Sequence, residues 1–521
     1  MPEIKPHELK ELILSTSEHA ILDVREQGAF SEGHLLFAIN LPLSRLELQI
    51  GDLVPRKQTP IVLIDNSDED AFAERAAEKL AQLGYADVQR LQDGNAGWSA
   101  AGEELFTGVN VPSKAFGEFI EHTYDTPRLE AAEVKALIDD GRNMVVVDSR
   151  PYAEYHRMNI PGGTDMPGAE LVYRIHDHAP DPDTLVVVNC AGRTRSIIGA
   201  QSLINAGIPN EVVALKDGTM GWHLAGFELE RGSNRTAEPP SSAGLNKALE
   251  AAARVATRFN VQSVDQATVE TWLADSGRTT YLLDVRSPEE FSEGHLPGYR
   301  NAPGGQLVQA TDEFVAVRNA RLVLADDVGV RATMTASWLL QLGWDEVYVL
   351  SGGHKTTGSA QTKESFELAQ ASLSPAELAA NLKDFTVIDL APSPQYERAH
   401  VPGAAWTVRA RLHAALEGCA EDKAIVISSP DDQLTSLALQ DVGAFTAQPV
   451  YGLVGGTDAW ITEGFETESG LTRTHGPLDD VWYKPYDHKD NQEAFMRGYL
   501  TWEVALVEQI KRDGSTRFRE F

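Results

Sequence analysis

Residues 189–196 read NCAGRTRS and place a cysteine beside two arginines, directly after the apolar run at 185–188. Such a run predicts a short buried strand, so Cys190 is expected where a strand ends and a loop begins. A cysteine reacts as its thiolate, and an ordinary thiol with a pKa of about 8.5 is mostly protonated at neutral pH. If Cys190 is a nucleophile, the loop must therefore lower its pKa.

Three features of this loop would favour a thiolate. Its backbone N–H groups lie at the start of the next helix and would form a concave anion site. Gly192 lets the chain curl without a side chain in the way, and two arginines supply positive charge that would hold the thiolate or bind an anionic substrate. The residues expected to bind the substrate are Ala191, Gly192, Arg193, Thr194, Arg195 and Ser196.

The elements that position this loop belong to a repeat. Four segments begin with an apolar run that ends in aspartate, namely AILDVR, VVVDSR, YLLDVR and TVIDLA at 20–25, 145–150, 281–286 and 386–391. Each continues with an aromatic-bearing turn of helix, a corner such as FSEGHLPG at 291–298, and a second apolar strand. Because strands and helices alternate, each copy is predicted to be an α/β domain with a small parallel sheet flanked by helices.

The composition excludes several classes of protein. The chain has 521 residues, too many for one ordinary core, and its net charge of −32 disfavours a nucleic acid or an anionic membrane as partner. It has no apolar run long enough to span a membrane and no secretory signal pattern, so a cytoplasmic location is expected. Only two cysteines are present, and the second, Cys419, is expected to be a packing residue near several carboxylates.

The repeated motifs together resemble the rhodanese family of sulfurtransferases. They are the D-x-R strand end, the E-G-H-[IL]-P-G corner, the cysteine loop and a closing turn with glycine and tryptophan. The resemblance implies four tandem rhodanese-like domains and a C-terminal helical and aromatic extension. The expected boundaries are 1–107, 124–232 with Cys190, 259–358, 370–467 for a divergent copy, and 468–521 for the extension.

The resemblance also implies a reaction in two steps. Cys190 attacks the sulfane sulfur of thiosulfate or a similar small anionic donor, sulfite leaves, and a persulfide remains on Cys190. The sulfur then passes to cyanide or to a thiol. No metal and no organic cofactor are expected. Asp148 and Arg150 are expected to support the loop from below, through an ion pair with Glu154 or through the neighbouring corner.

The other three copies lack the nucleophile. The positions that correspond to Cys190 are about Ser67, Asp326 and Ser429, and none of these residues can carry a persulfide. Two alternatives therefore stay open. One is a persulfide carrier or scaffold with little turnover. The other is a phosphatase or arsenate reductase, although those enzymes use a Cys-x5-Arg loop and residues 190–195 form a Cys-x4-Arg loop.

The linker and the tail lead to further expectations. The polar, proline- and serine-containing segment at 233–244 suggests a break between two halves, with the first copy packed against the second. A helix is predicted from about Asn491 to Lys511. Its apolar residues to be buried are Phe495, Leu500, Val504 and Val507. Such a helix would dock on a neighbouring domain or on the partner in a homodimer, and a lid over Cys190 is the sharper hypothesis.

Overall fold

The structure, a computed structural model, describes residues 1–66, 71–352, 371–417, 419–443 and 445–521. It contains four parallel sheets flanked by helices, which confirms the predicted α/β fold with tandem repeats. Within the described ranges, no helix combines the length and the apolar character that crossing a membrane requires. The predicted domain boundaries follow these sheets closely but stay predictions.

The strands of each domain lie in the same spatial order. In the second domain the sequence of neighbours is first, fifth, fourth, second and third strand, and all pairs are parallel. The strands of the first domain are Glu3–Ile4, His19–Asp23, Ile39–Asn40, Ile61–Ile64 and Val88–Leu91, and those of the second are Arg128–Leu129, Met144–Asp148, Thr164–Asp165, Leu185–Asn189 and Val212–Leu215. The sheet of the third domain has Gln262–Val264, Thr280–Asp284, Arg300–Asn301, Arg321–Ala325 and Val347–Leu350, and the short strand Val317–Arg318 lies outside this sheet. The fourth has Ser372–Leu373, Phe385–Asp389, Ala405–Trp406, Ala424–Ser428 and Val450–Leu453.

Helices connect these strands in every domain. Those of the first domain are Pro6–Leu14, Gln27–Glu32, Leu46–Leu53, Phe72–Gln82 and Gly94–Ala100, and those of the second are Ala131–Asp139, Tyr152–Arg157, Glu170–His178, Thr194–Ala206 and Gly218–Leu224. The third has Gln266–Leu273, Pro288–Glu293, Gly304–Gln309, Thr311–Phe314 and Val330–Gln341, and the fourth has Pro375–Ala380, Ser393–Arg398, Leu412–Leu416, Asp432–Val442 and Gly456–Thr462. Among the described residues, three α-helices lie outside the repeats: the linker helix Val111–Tyr124, the connecting helix Ser242–Arg258 and the C-terminal helix Gln492–Asp513.

The central strands of the second domain bring the predicted site residues together. Strand Met144–Asp148 pairs in parallel with Leu185–Asn189, and Asp148 lies opposite Asn189 in the register. The carboxyl ends of parallel strands meet at one edge of the sheet, which is where ligands bind in open α/β sheets. Cys190 follows directly at this edge.

Contacts divide the chain into two compact units, and the division corrects the predicted pairing of domains. One unit comprises Met1–Glu8, Ala20–Val109 and Thr362–Trp482, and the other comprises Leu9–His19, Asn110–Gln361 and Tyr483–Phe521. The first domain therefore shares a unit with the fourth, and the second shares a unit with the third. The prediction that the first copy packs against the second is wrong, because side chains distant in sequence decide the pairing.

Buried polar contacts show why the second and third domains form one unit. The indole of Trp338 donates a hydrogen bond to the Ser202 hydroxyl at 2.8 Å, and the guanidinium of Arg331 lies 2.9 Å from the carboxylate of Glu170. In the other unit, Arg409 of the fourth domain binds Glu47 of the first at 2.8 Å. Directional contacts of this kind are satisfied only in one arrangement of the domains.

Segment 233–244 does not separate two compact units, contrary to the prediction. The connecting helix begins at Ser242, after an N-cap at Ser241, and turns an apolar face inward. Its residues Ala248, Ala251, Ala252 and Val255 are buried in the core cluster of the second domain. The polar composition of the segment reflects its exposed surface, whereas the spacing of these small apolar residues determines the packing.

The C-terminal helix forms where a helix was predicted, but the predicted buried face is right only in part, because Leu500 and Val507 are no more than half-buried. Phe495 and Val504 are exposed, and the residues buried on the inner face are Met496, Glu503, Leu506, Ile510 and Asp513. The acidic members of this face interrupt its apolar pattern, so the pattern in the sequence pointed to a different stripe of the helix.

Candidate active site

Cys190 lies between the central strand of the second domain and a helix, as the sequence predicts. The strand ends at Asn189, the helix begins at Thr194, and the whole loop from Cys190 to Ser196 is buried except for the half-buried Arg195. Cys190 itself is only 2% exposed. All of the residues predicted to bind the substrate thus surround one thiol, and their role in binding stays a prediction.

The Asp148–Arg150 pair forms the floor of the site. The Arg150 guanidinium lies 2.7 Å from Asp148 and donates a hydrogen bond to the carbonyl of Met158 in the neighbouring corner. The amide of Asn189, the residue before the cysteine, donates to Asp148 at 2.7 Å. Of the two supports considered, the contact with the corner is the one observed. Glu154 instead binds Arg195.

The closing turn braces the loop from the side, a role that the sequence analysis did not assign. The backbone N–H of Thr219 donates to the carbonyl of Cys190 at 2.9 Å, and that of Met220 donates to Ala191 at 3.0 Å. Gly218 has φ +54°, and a side chain there would begin 2.4 Å from the Cys190 carbonyl oxygen. Glycine is therefore required at this position, and the repeated DG and GG pairs of the closing turns were its signal in the sequence.

Arg193 is held by carboxylates of the linker helix. Its guanidinium contacts Glu118 at 2.6 Å, Glu121 at 2.5 Å and Asp217 at 3.2 Å. The helix approaches the loop so closely that a side chain at Gly117 would begin 2.9 Å from Thr194. Because its charge is fully compensated, Arg193 fixes the loop and is a poor candidate for binding an anionic donor.

Arg195 is the cation that most strongly lowers the pKa of the Cys190 thiol. It pairs with Glu154 at 2.9 Å and contacts the Gln306 side chain at 3.4 Å. Burial would raise the pKa of Glu154, but Arg195 and then Lys484 lower it well below its usual range. The bridge therefore keeps both partners charged beside the loop.

Burial determines the ionisation of Cys190. It raises the pKa of the thiol, while the charge of Arg195 and hydrogen bonds with Ser196 act in the opposite direction. The thiol donates to the Ser196 hydroxyl at 3.4 Å. The sequence led us to expect a lowered pKa, and the difference arises because the loop is enclosed by other elements of the chain and removed from water.

Replacing Arg195 should make Cys190 less reactive. In Arg195→Gln the nearest positive charge is lost and Glu154 keeps only Lys484 as a partner, so the pKa of Cys190 rises further. A higher pKa leaves less thiolate at pH 7. We expect the alkylation of Cys190 by iodoacetamide to slow by roughly tenfold, measured by peptide mass spectrometry. Arg235→Gln, which breaks the exposed pair with Glu230, is the matched control and should alkylate as the wild type does.

The C-terminal segment covers the loop. Tyr486 and Met496 pack with Ala191 and Met220 in one buried cluster, and the Tyr499 ring lies against Gly192. The helix also packs along the linker helix. The segment thus occupies the position that the lid hypothesis requires. The sequence could not reveal it because the partner surfaces are more than two hundred residues away along the chain.

The corresponding loop of the third domain is filled by its own side chain. Asp326 follows the strand Arg321–Ala325 as Cys190 follows its strand, and its carboxylate accepts backbone hydrogen bonds from Gly329, from Arg331 at 2.8 Å and from Ala332 at 3.3 Å. Such loops therefore bind anions through their amides. Ser67 of the first domain lies outside the described residues.

No described group of three or more His, Cys, Asp or Glu side chains is arranged to hold a metal ion.

Comparison with known proteins identifies the family. The profile of the Rhodanese-like domain matches residues 5–101, 130–225 and 265–356, which together are more than half of the chain. The chain therefore belongs to the rhodanese family, as the resemblance in sequence predicted. The matched residues do not include the fourth domain.

A solved structure of similar length extends this comparison. The crystal structure of thiosulfate sulfurtransferase from Pseudomonas aeruginosa is 47% identical, with a TM-score of 0.93 over 100% of this chain and 99% of that chain. Two uncharacterized proteins are also similar: YibN of Escherichia coli K12, 31% identical over 18% of this chain, and YqhL of Bacillus subtilis, 38% identical over 16%. The chain spans 63% of the length of each of these curated relatives.

Proposed function

We propose that this protein is a sulfurtransferase that moves sulfane sulfur from thiosulfate through a Cys190 persulfide to cyanide or a thiol. The observation that carries the proposal is the enclosed loop, in which one thiol follows a central strand and precedes a helix N-terminus. The likeness to a thiosulfate sulfurtransferase along the full length of both chains supports the same reaction.

The chemistry follows from the atoms of the loop. The Cys190 thiolate attacks the sulfane sulfur of thiosulfate, the S–S bond of the donor breaks, and its electron pair leaves with sulfite. The terminal sulfur of the resulting persulfide is then held by the loop amides. In the second step a nucleophile attacks this sulfur and the electron pair returns to the Cys190 sulfur, which restores the thiolate.

The two arginines have different roles in this proposal. Arg195 lowers the pKa of Cys190 against the effect of burial and is the cation that the dianionic donor meets. Arg193 holds the loop in its curved form through its carboxylate partners. Asp148 and Arg150 hold the strand ends from which the loop projects.

Intact-mass spectrometry tests this function. Reduced protein exposed briefly to thiosulfate should gain the mass of one sulfur atom, and cyanide or a small thiol should remove it. Parallel exposures to 3-mercaptopyruvate and to a phosphate ester test the donor. A gain of sulfur only from 3-mercaptopyruvate would identify that compound as the donor in place of thiosulfate. Release of phosphate without any gain of sulfur would indicate a phosphatase instead of a sulfurtransferase. Sulfur gain that cannot be discharged repeatedly would indicate a persulfide carrier.

A further inference from the structure

A carboxyl group of the C-terminal helix is buried against the cysteine loop. Glu503 is 2% exposed, and its Oε1 accepts hydrogen bonds from the Thr194 hydroxyl at 3.2 Å and the Tyr499 hydroxyl at 3.1 Å. Its Oε2 has no hydrogen-bond partner among the described residues and lies 3.1 Å from the point where a side chain on Gly192 would begin. An unoccupied acceptor atom therefore faces the loop that carries Cys190.

Charged groups of two other elements face this carboxyl group. Lys114 and Glu118 come from the linker helix, and Arg193 comes from the loop. Burial raises the pKa of Glu503 to about 7, while Lys114 lowers it and Glu118 adds to the rise. Burial also lowers the pKa of Lys114, to about 8. The group thus exchanges its proton in the neutral range.

The two hydrogen bonds of Glu503 do not by themselves require a carboxyl group, although its charge also compensates that of Lys114. The amide oxygen of a glutamine would accept the same two hydrogen bonds from Thr194 and Tyr499 without the cost of burying an ionisable group. A buried carboxyl group with an unpartnered oxygen beside a nucleophile is instead the arrangement typical of a proton acceptor. Glu503 also acts on the charge of Cys190, whose pKa it raises slightly.

We propose that Glu503 is a catalytic base that accepts the proton of the thiol that discharges the Cys190 persulfide. The inference rests on the proposed function and extends it to the second step. It makes the C-terminal helix part of the acceptor site, because the helix supplies the base and Tyr499 orients it.

The atoms balance in this step. The first step leaves the outer sulfur of the Cys190 persulfide as an anion, which takes a proton from water. The acceptor thiol then gives its own proton to the Glu503 carboxylate, and its sulfur attacks this outer, protonated sulfur. The S–S bond of the persulfide breaks and its electron pair stays on the Cys190 sulfur as a thiolate. The acceptor leaves as a persulfide, and Glu503 releases its proton to water. Cyanide attacks as the free anion CN⁻, which has already lost its proton to the bulk solvent, so its reaction does not use Glu503.

The difference between thiol and cyanide provides the test. Wild-type protein and Glu503→Gln are loaded with sulfur from thiosulfate, desalted, and discharged in a single turnover with 2-mercaptoethanol or with cyanide, followed by intact mass. We expect the variant to lose about 100-fold in the rate with the thiol and to change less than about threefold with cyanide. Glu508→Gln, on the exposed face of the same helix, is the matched control and should discharge both acceptors as the wild type does.

The pH profile distinguishes a base from a packing residue. The thiol rate, divided by the cyanide rate expressed per cyanide anion, should rise with pH in the wild type, because Glu503 must be ionised. The midpoint of this rise should be absent in Glu503→Gln. Glu503→Asp should restore part of the thiol rate. A more acidic thiol, such as thiophenol, loses its proton more readily without a base. Its discharge rate should therefore fall less in Glu503→Gln than the rate with 2-mercaptoethanol does.

Several outcomes would overturn the inference. Equal slowing with both acceptors would assign Glu503 to packing, and unchanged rates with both would remove it from the reaction. If Glu503→Gln does not fold, the wild-type protein alone provides the test. A ratio of thiol rate to cyanide rate that varies only with the pKa of the acceptor thiol, and shows no midpoint from Glu503, would also overturn the inference. If thiosulfate does not load the wild type, the proposed donor is wrong, and loading with inorganic polysulfide still permits the discharge test.

Discussion

Replacing Cys190 by serine is expected to abolish sulfur transfer. Cys190→Ser should gain no sulfur from thiosulfate, and the rate of thiocyanate formation from thiosulfate and cyanide should fall at least about 1000-fold. The physical reason is that a serine hydroxyl at this position would not ionise near neutral pH and cannot form a persulfide. Colorimetric detection of thiocyanate and intact mass measure the two effects.

The chain provides a matched control for this substitution. Cys419 is partly buried beside the core of the fourth domain, and its thiol donates to the Ala415 carbonyl at 3.4 Å. Cys419→Ser should retain wild-type activity and wild-type sulfur gain. Activity that survives in Cys190→Ser and disappears in Cys419→Ser would place the reaction in the other domain and reject the proposed site.

Removing the guanidinium of Arg193 is expected to cause the largest loss of stability among the loop residues. Arg193→Met would leave Glu118 buried without its partner, whereas Glu121 would keep only its contact with Arg128 at 2.5 Å. Breaking a buried ion pair by removing one partner costs about 3–5 kcal/mol, because the remaining charge is uncompensated. We expect a clear fall in the thermal midpoint and faster amide hydrogen exchange in the linker helix Val111–Tyr124.

The exposed ion pair of Arg235 and Glu230 provides a control for the loss of stability expected in Arg193→Met. Arg235→Met removes a cation whose contact with Glu230 is exposed, and such pairs contribute at most about 1 kcal/mol. Its thermal midpoint should stay close to that of the wild type. If Arg193→Met is as stable as the wild type but does not bind thiosulfate, Arg193 is a donor-binding residue. Its ion pairs with the linker helix would then not be needed for stability.

The loop of the third domain that begins at Asp326 supports the interpretation of the Cys190 loop. There a carboxylate of the chain itself, Asp326, is bound by the amides of the loop. Asp326 follows its strand as Cys190 follows its own, so its carboxyl group occupies the corresponding place in the loop. The comparison shows that the curvature of the loop is a property of the repeat, whereas the chemistry depends on the one residue that follows the strand.

The sequence by itself determined the fold and the place of the candidate nucleophile. Apolar runs that end in aspartate, the corners and the closing turns are local patterns, and local patterns specify strands, turns and their order. The same patterns placed Cys190 at a strand end and marked Asp148 and Arg150 as supports of its loop, although the pair that these two residues form with each other was not predicted. These features need only short-range information.

Only the tertiary structure decided what surrounds the thiol. Glu118 and Glu503 lie far from Cys190 along the chain, and nothing in their local sequence distinguishes them from the many other acidic residues. The pairing of the second domain with the third was equally hidden, because it depends on buried contacts such as Trp338 with Ser202. Burial reversed the expected direction of the Cys190 pKa for the same reason. Desolvation and long-range pairing arise from the complete packing of the chain, and no short segment contains them.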